Sequence, residues 1–135
     1  MIDASIALAW CFAGENSLLA QHVAERFQRG DLAVAPSFWP HEVLNALLSG
    51  EKRGRISRKL VQNFLEDLAA LPVELFQFPA ATVFERIQPH SLRHDLTAYD
   101  AAYLDLALDM NLPLATLDKD LIQACDKAGA ALVKV

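Results

Sequence analysis

The chain has 135 residues, of which 53% are hydrophobic and 21% charged, and this composition is typical of one globular domain. Its formal net charge of −5 argues against a uniformly basic surface for binding nucleic acid. Because no linker-like run divides the sequence, we expect a single domain over residues 1–135.

The first half of the chain predicts short strands that alternate with helices. The predicted elements are, in order, a strand end at residues 1–2, a helix at 4–12, a helix at 17–30, a strand at 32–35, a helix from residue 40 and a helix at 57–71. Ser17 is a good N-cap, Gly30 suits a helix end, and Pro40 suits a first helical turn. The helix after Pro40 should pack Leu44 and Leu48 inward, at helical spacing.

The second half predicts a strand at 73–78, a helix at 80–88, a loop at 90–96, a helix from 97 to about 110, a strand at 114–116, a helix at 118–128 and a strand at 131–135. Thr97 and Asp100 have the spacing of a capping box, and Gly129 ends the last helix. Alternating short apolar strands and helices indicate an α/β fold, with a parallel sheet covered on both faces.

Four carboxylates stand where predicted strands end or predicted helices begin: Asp3, Glu42, Asp100 and Asp118. In sheets of this kind, ligands bind beyond the carboxyl ends of the strands, so we expect these side chains to converge. Carboxylate oxygens are the ligands that Mg²⁺ and Mn²⁺ prefer, and acids buried together without a cation would destabilise the fold. The pattern predicts a metal-dependent hydrolase.

Each acid also has a purely structural explanation. Asp100 and Asp118 could cap helices, Glu42 could favour the positive end of its helix dipole, and Asp3 could bond the amide of Ser5. These roles do not explain why all four residues are carboxylates with small or apolar neighbours. The structural explanation stays open for each acid alone and is weaker for the set.

Other catalytic motifs are absent from the sequence. His41 and Glu42 begin like the HExxH motif of zinc proteases, but Asn45 stands where the second histidine would be. There is no phosphate-binding glycine loop and no GxSxG elbow. His94 could contact phosphate, and Trp10, Trp39, Tyr99 and Tyr103 could stack on bases, although core packing is the stronger expectation for these aromatic residues.

Five of the twelve basic residues fall within eight positions: Lys52, Arg53, Arg55, Arg58 and Lys59. Screening confines the field of such a basic stripe to about 10 Å, so it can attract a polyanion although the whole chain is acidic. We expect the stripe to guide a polyanion such as RNA. A solvated helix end is the alternative.

The two cysteines, Cys11 and Cys125, have neither a metal-binding spacing nor the density of a disulfide scaffold. They are expected to be buried free thiols in a reducing compartment. The apolar run at residues 6–13 has no basic leader and is shorter than the roughly 20 residues of a membrane span. A cytoplasmic location is therefore expected.

Three sequence blocks resemble the successive signatures of the PIN domain family, in particular the VapC toxins of toxin–antitoxin pairs. The blocks are IDASIALAW, PHEVLNAL and LTAYDAAYLDLALDMNLPLATLDKDL. They occur in the order and at the spacing of the family, so the resemblance covers essentially the whole chain. It implies a PIN-like three-layer α/β/α sandwich with a central, mainly parallel sheet.

The resemblance also implies an activity: a Mg²⁺- or Mn²⁺-dependent ribonuclease that hydrolyses RNA phosphodiester bonds, is inhibited by a VapB-type antitoxin and forms a homodimer. The four acids of the family, which are both catalytic and metal-binding, match Asp3, Glu42, Asp100 and Asp118. Auxiliary positions match Ser5, Asn45, Thr116 and Asp120. Members usually carry more apolar residues before the first aspartate, so the first strand should be short here.

Three other functions remain open. The strongest is a catalytically inert PIN-like module that binds RNA or protein. A phosphatase with Asp3 as nucleophile would be expected to carry a DxDx[TV] motif, but position 5 is Ser. A nuclease for DNA flaps would normally have additional DNA-binding helices.

Overall fold

Eight α-helices and a parallel sheet form the part of the chain that the computed structural model describes, residues 1–12, 14 and 17–135. The elements are α1 Ala4–Cys11, α2 Leu18–Gln28, β1 Ala33–Pro36, α3 Trp39–Lys52, α4 Arg58–Ala69, β2 Val73–Phe76, α5 Ala80–Thr82, a π-helical turn Val83–Ile87, α6 Gln88–His94, α7 Ala98–Met110 and α8 Lys119–Ala128. Ala13, the end of the predicted apolar run, lies outside the described residues. None of the described helices is both long and apolar enough to cross a membrane.

The sheet is built from short parallel pairings. β1 pairs with β2 along the whole of both strands. On the other side of β1, the amide of Ile2 donates to the carbonyl of Val34 at 3.2 Å. Single parallel bridges then join Ile2 to Ala115 and Leu114 to Leu132. The order across the sheet is therefore β2, β1, residue 2, residues 114–115 and residue 132, and the first residues of the chain lie at its centre.

The helices pack in two groups, as the three-layer α/β fold predicts. Helices α1 to α4 contact one another, and α5 to α8 with the π-helical turn contact one another. α7 is the central helix of the second group, because every residue from Ala101 to Ala107 is buried. In α3, Val43 and Leu47 face the core. Leu44 and Leu48, predicted to pack inward, are instead 38% and 43% exposed.

Several predicted boundaries were wrong. The strand predicted at 73–78 ends at Phe76, and those at 114–116 and 131–135 are reduced to isolated bridges, because only one or two residues of each segment pair with a neighbouring segment. The loop predicted at 90–96 is largely helical, as α6 continues to His94. Pro89 cannot donate to the carbonyl four residues earlier, and the preceding π-helical turn shifts the bonding so that the amide of Gln88 donates to Val83.

Both cysteines are buried and free, which confirms their prediction. Burial raises the pKa of each thiol to about 11. Neither Cys11 nor Cys125 is therefore a reactive thiolate near neutral pH.

An ion pair between the half-exposed Arg86 and the buried Asp105 joins the π-helical turn to α7. Asp105, only 2% exposed, accepts hydrogen bonds from Arg86, at 3.0 Å from Nε to Oδ1 and 2.9 Å from the terminal nitrogen to Oδ2. The Nε2 atom of His90 lies 3.5 Å from Oδ1, which adds α6 to the same cluster. The sequence analysis missed this carboxylate, because its position among the buried residues of α7 carries no local signal of a partner 19 residues away.

Replacing Arg86 with Ala should lower the free energy of unfolding by about 1–2 kcal/mol, because the buried Asp105 carboxylate loses its charged donor while water can reach the half-exposed position of Arg86. Urea unfolding monitored by circular dichroism measures the change. Arg29→Ala is the control, since Arg29 pairs at 3.4 Å with an exposed Glu25 and such a surface pair is worth about 0–1 kcal/mol. Equal losses in the two variants would contradict the importance of the pair between Arg86 and Asp105.

Candidate active site

The four predicted acids lie where the sheet gives way to helices. Asp3 directly follows the central bridge residue and precedes α1. Glu42 lies in the first turn of α3, Asp100 in the first turn of α7, and Asp118 is the N-cap of α8. The carboxyl ends of the parallel pairings and the amino ends of three helices therefore meet at one edge, where the helix dipoles favour negative charge.

Asp3 is the most constrained of the acids. Its side chain is 5% exposed, Ser5 Oγ donates to Oδ1 at 2.5 Å, and Thr116 Oγ1 donates to Oδ2. Both hydroxyls are themselves held, because Ser5 Oγ accepts from the amide of Leu117 at 2.8 Å and Thr116 Oγ1 from the amide of Asp118 at 3.0 Å. These bonds fix the orientation of the carboxylate and join the start of the chain to the segment before α8.

Burial raises the pKa of Asp3 to about 6. The hydrogen bonds from Ser5 and Thr116 oppose this rise, and the negative charge of Asp118 adds to it. The side-chain partners of this buried carboxylate are neutral hydroxyls, and its charged neighbour is another acid. Its negative charge would therefore be stabilised by a nearby cation.

Glu42 has a partner that the sequence analysis did not identify. The hydroxyl of Tyr103 donates to Glu42 Oε1 at 2.6 Å, and the tyrosine ring is 1% exposed. Burial raises the pKa of Glu42, the bond from Tyr103 lowers it, and the charge of Asp100 raises it again. The pKa of Tyr103 is also raised, first by burial and then by Glu42, so its hydroxyl stays protonated and remains a donor. Tyr103 follows Asp100 by three residues and lies on the same face of α7. This spacing could have predicted that Tyr103 lies close to the acids.

Asp118 performs the capping role that the structural explanation assigns to it, whereas the N-cap of α7 is Thr97 and not Asp100. The amide of Asp100 donates to Thr97 Oγ1 at 3.2 Å, and the amide of Leu121 donates to Asp118 Oδ1 at 2.9 Å. A carboxylate has about four acceptor sites on its two oxygens, so one that caps a helix can still bind a metal ion. Burial raises the pKa of Asp100, and the charges of Asp118 and Asp120 raise it further. Asp100 is therefore close enough to both acids to interact with them electrostatically.

The donor set fits a hard divalent cation by its chemistry. Asp3, Glu42 and Asp100 all have raised pKa values, and the charge of another acid contributes to each rise. A cation among them would reverse that repulsion. In the part of the chain that the structure describes, no three histidine, cysteine or acidic side chains are close enough to hold an ion as they stand. Water molecules would have to span the gaps, as is usual for Mg²⁺, which keeps several waters in protein sites.

Not every predicted residue joins the acids. Asn45 is exposed and faces a separate pocket with Arg53 and Arg55. Asp120 is exposed, and its charge contributes to the raised pKa of Asp100. The five residues of the basic stripe are exposed, and Arg58 pairs with Glu51 at 2.8 Å.

The residues proposed for phosphate contact or base stacking are mainly structural. Trp39 and Tyr103 are buried, and Trp10 Nε1 donates to the carbonyl of Ala20 at 2.8 Å. Tyr99 is exposed and packs edge-on against the ring of Phe38. His94 stacks on His90, away from the four acids, with ring centroids 6.2 Å apart.

Comparison with known proteins agrees with this geometry. The family model described as PIN domain matches residues 1–127. Ribonuclease VapC3 of Pyrobaculum aerophilum is 31% identical over 126 residues, which cover 91% of this chain and 92% of that protein. The crystal structure of PAE2754 from the same organism superimposes with a TM-score of 0.67 at 20% identity, over 91% of this chain and 82% of that chain.

The structural match supports the α/β fold, while the family match and the identity to a full-length relative extend over nearly all of the sequence. All three of the sequence blocks that resemble the family lie wholly within the matched residues. The chain therefore belongs to the PIN domain family, and within it to the VapC type.

Proposed function

We propose that this protein is an endoribonuclease that hydrolyses RNA phosphodiester bonds with the help of Mg²⁺ or Mn²⁺. The observation that carries the proposal is the position of the four acids at one edge of the sheet, with both oxygens of the buried Asp3 held by hydroxyls. Burial, and secondly the charge of a neighbouring acid, raises the pKa of Asp3, Glu42 and Asp100 there. The similarity to a protein named Ribonuclease VapC3 supports the reaction class.

The four carboxylates Asp3, Glu42, Asp100 and Asp118 would hold the cation. When bound, a divalent cation polarises a phosphodiester oxygen and lowers the pKa of a bound water. Ser5 and Thr116 keep both oxygens of Asp3 in place, and Tyr103 does the same for one oxygen of Glu42. Preorganised ligands of this kind need no rearrangement during the reaction, which is why partners of metal ligands influence affinity and rate.

An assay with single-stranded RNA tests the proposal. A labelled oligoribonucleotide should be cleaved in Mn²⁺ or Mg²⁺, remain intact in EDTA, and be cleaved again when excess Mn²⁺ is added. Full cleavage in EDTA would contradict metal-dependent hydrolysis.

A catalytically inert module that binds RNA or protein is the second candidate. It is favoured by the spacing of the described acids, which form no ready-made group of three around an ion. The same assay separates the two functions, because an inert module would bind the oligoribonucleotide and leave it intact with either cation.

A VapB-type antitoxin, a homodimer and a cytoplasmic location belong to the same proposal. Support for association comes from a cavity of about 410 Å³ among α3, α4 and β2, bordered by the partly exposed Leu44 and Leu75. Exposed apolar surface of this kind is commonly used in interfaces. Sedimentation velocity at micromolar concentrations distinguishes the dimer from a monomer.

A further inference from the structure

A pocket of about 280 Å³ lies beside the acidic edge of the sheet. Its walls come from the segments directly after β1 and β2, from the π-helical turn and from the start of α7, and they include Ser37, Phe38, Gln77, Phe78 and Tyr99. Ser37 and Gln77 are the first residues beyond the carboxyl ends of the two paired strands. The pocket is therefore at the edge of the sheet where ligands of such folds bind.

Aromatic rings connect the pocket to the acids. Tyr99 directly precedes Asp100 in the first turn of α7. The ring of Phe38 packs edge-to-face against Tyr99, with 5.0 Å between the ring centroids, and against Tyr103, with 5.6 Å between them. Tyr103 in turn donates to Glu42 Oε1 at 2.6 Å. A group bound in the pocket would thus contact side chains that adjoin the proposed cation ligands.

The lining suits a flat, neutral group that forms hydrogen bonds. None of the described residues that line the pocket is an acid, a lysine, an arginine or a histidine, so a phosphate would find no cation there. Ser37 and Gln77 supply a hydroxyl and an amide, which can donate and accept hydrogen bonds. Tyr99 is 57% exposed although its ring packs on Phe38. A partly held aromatic ring loses little entropy when it binds a ligand.

We propose that this pocket binds one nucleobase of single-stranded RNA, next to the bond to be cleaved. The base would stack on the ring of Tyr99, and Ser37 and Gln77 would form hydrogen bonds with its polar edge. The volume of about 280 Å³ is near the lower end of the range for ligand sites, about 300–1,000 Å³, and suits one base better than a longer segment. The identity of the ligand rests on the proposed function, whereas the pocket and its lining do not.

Tyr99→Leu tests the base site, and Phe84→Leu is its matched control, because Phe84 is 72% exposed and does not line the pocket. Fluorescence anisotropy in EDTA measures the affinity for a labelled oligoribonucleotide and for an abasic oligomer with the same backbone. Tyr99→Leu should lose about 10-fold in affinity for RNA and keep its affinity for the abasic oligomer, because stacking of one base is worth about 5-fold or more. Phe84→Leu should lose less than about 2-fold. Tyr99→Phe keeps the ring and should bind RNA nearly as well as the wild type.

Equal losses of RNA affinity in Tyr99→Leu and Phe84→Leu would overturn the base site. An equal loss of Tyr99→Leu for RNA and for the abasic oligomer would also overturn it, because the ring would then not act through a base. If circular dichroism shows that Tyr99→Leu disturbs the fold, Gln77→Ala makes the comparison at a smaller scale. It should lose about 3-fold for RNA, the value of one hydrogen bond, and an unchanged affinity would overturn the proposal.

The base site and the proposed function fail in different ways. RNA that binds with this dependence on Tyr99 but is cleaved with no cation would contradict the proposed function alone. Cation-dependent cleavage, with Tyr99→Leu binding RNA as well as the wild type, would contradict the base site alone.

Discussion

Replacing Asp100 with Asn is expected to reduce RNA cleavage by about 100-fold or more, since even the outer partners of metal ligands are typically worth about 10–100-fold. The substitution removes a carboxylate whose pKa is raised by burial and by Asp118. It leaves the backbone amide that donates to Thr97 in place, so the start of α7 is preserved. The initial rate of cleavage in saturating Mn²⁺ measures the effect.

Asp126→Asn is the matched control for this substitution. Asp126 is exposed on α8, the helix that Asp118 caps, and its change to Asn alters the net charge by the same amount. It should keep nearly the full rate of cleavage. A cleavage rate for Asp100→Asn within a few-fold of the control would contradict the role of Asp100 in holding the cation.

The second large effect is expected in stability. The pKa of Asp3 is about 6 in the folded protein and 3.8 in an ordinary carboxyl, so the folded state holds this proton more tightly. Stability without metal should therefore fall as pH rises from about 4 to about 6, by roughly 3 kcal/mol for Asp3 alone, and stay low above that range. The Asp3→Asn variant should lack this part of the fall and unfold at a higher temperature than the wild type at pH 7 in EDTA.

Divalent cations should reverse the order of the two proteins. A cation at a hundredfold excess over its Kd stabilises a folded protein by about 2.7 kcal/mol, and only the wild type retains all four carboxylates. Thermal melts at pH 5 and pH 7, in EDTA and in Mn²⁺, measure both effects. If the wild type in EDTA is no less stable at pH 7 than at pH 5 and its melt does not respond to Mn²⁺, both the buried charge and the cation site are refuted.

Much of the fold could be predicted because its signals are local. Ser17, Thr97 and Asp118 accept the amide bonds expected of N-caps, and Gly129 ends α8 with a positive φ of 77°. The positions of the four acids in the fold could be predicted for the same reason, since strand ends and helix starts can be read from short segments. Such signals depend on a few neighbouring residues, so they predict helix ends with little dependence on the tertiary structure.

What could not be predicted depends on distant partners. Tyr103 and Glu42 are 61 residues apart. Helical spacing predicts which face of a helix a side chain occupies, but it does not predict which distant residue that side chain contacts. Asn45 shows the same limit. Its distance of three residues from Glu42 suggested a shared site, whereas it faces the separate pocket that Arg53 and Arg55 also line. The lengths of the last three strands were also overestimated, because a strand extends only as far as a neighbouring segment pairs with it.

The clamp on Asp3 has a consequence for the synthesis of the protein. Asp3 leaves the ribosome well before its partner Thr116, which lies 113 residues later in the chain. The central position of the sheet stays incomplete until residues 114–116 arrive, since Ile2 bridges to Ala115. A contact of such long sequence separation forms late, because its loop must close first. An enzyme that attacks RNA would thus remain incomplete on the ribosome until residues 114–116 have been translated.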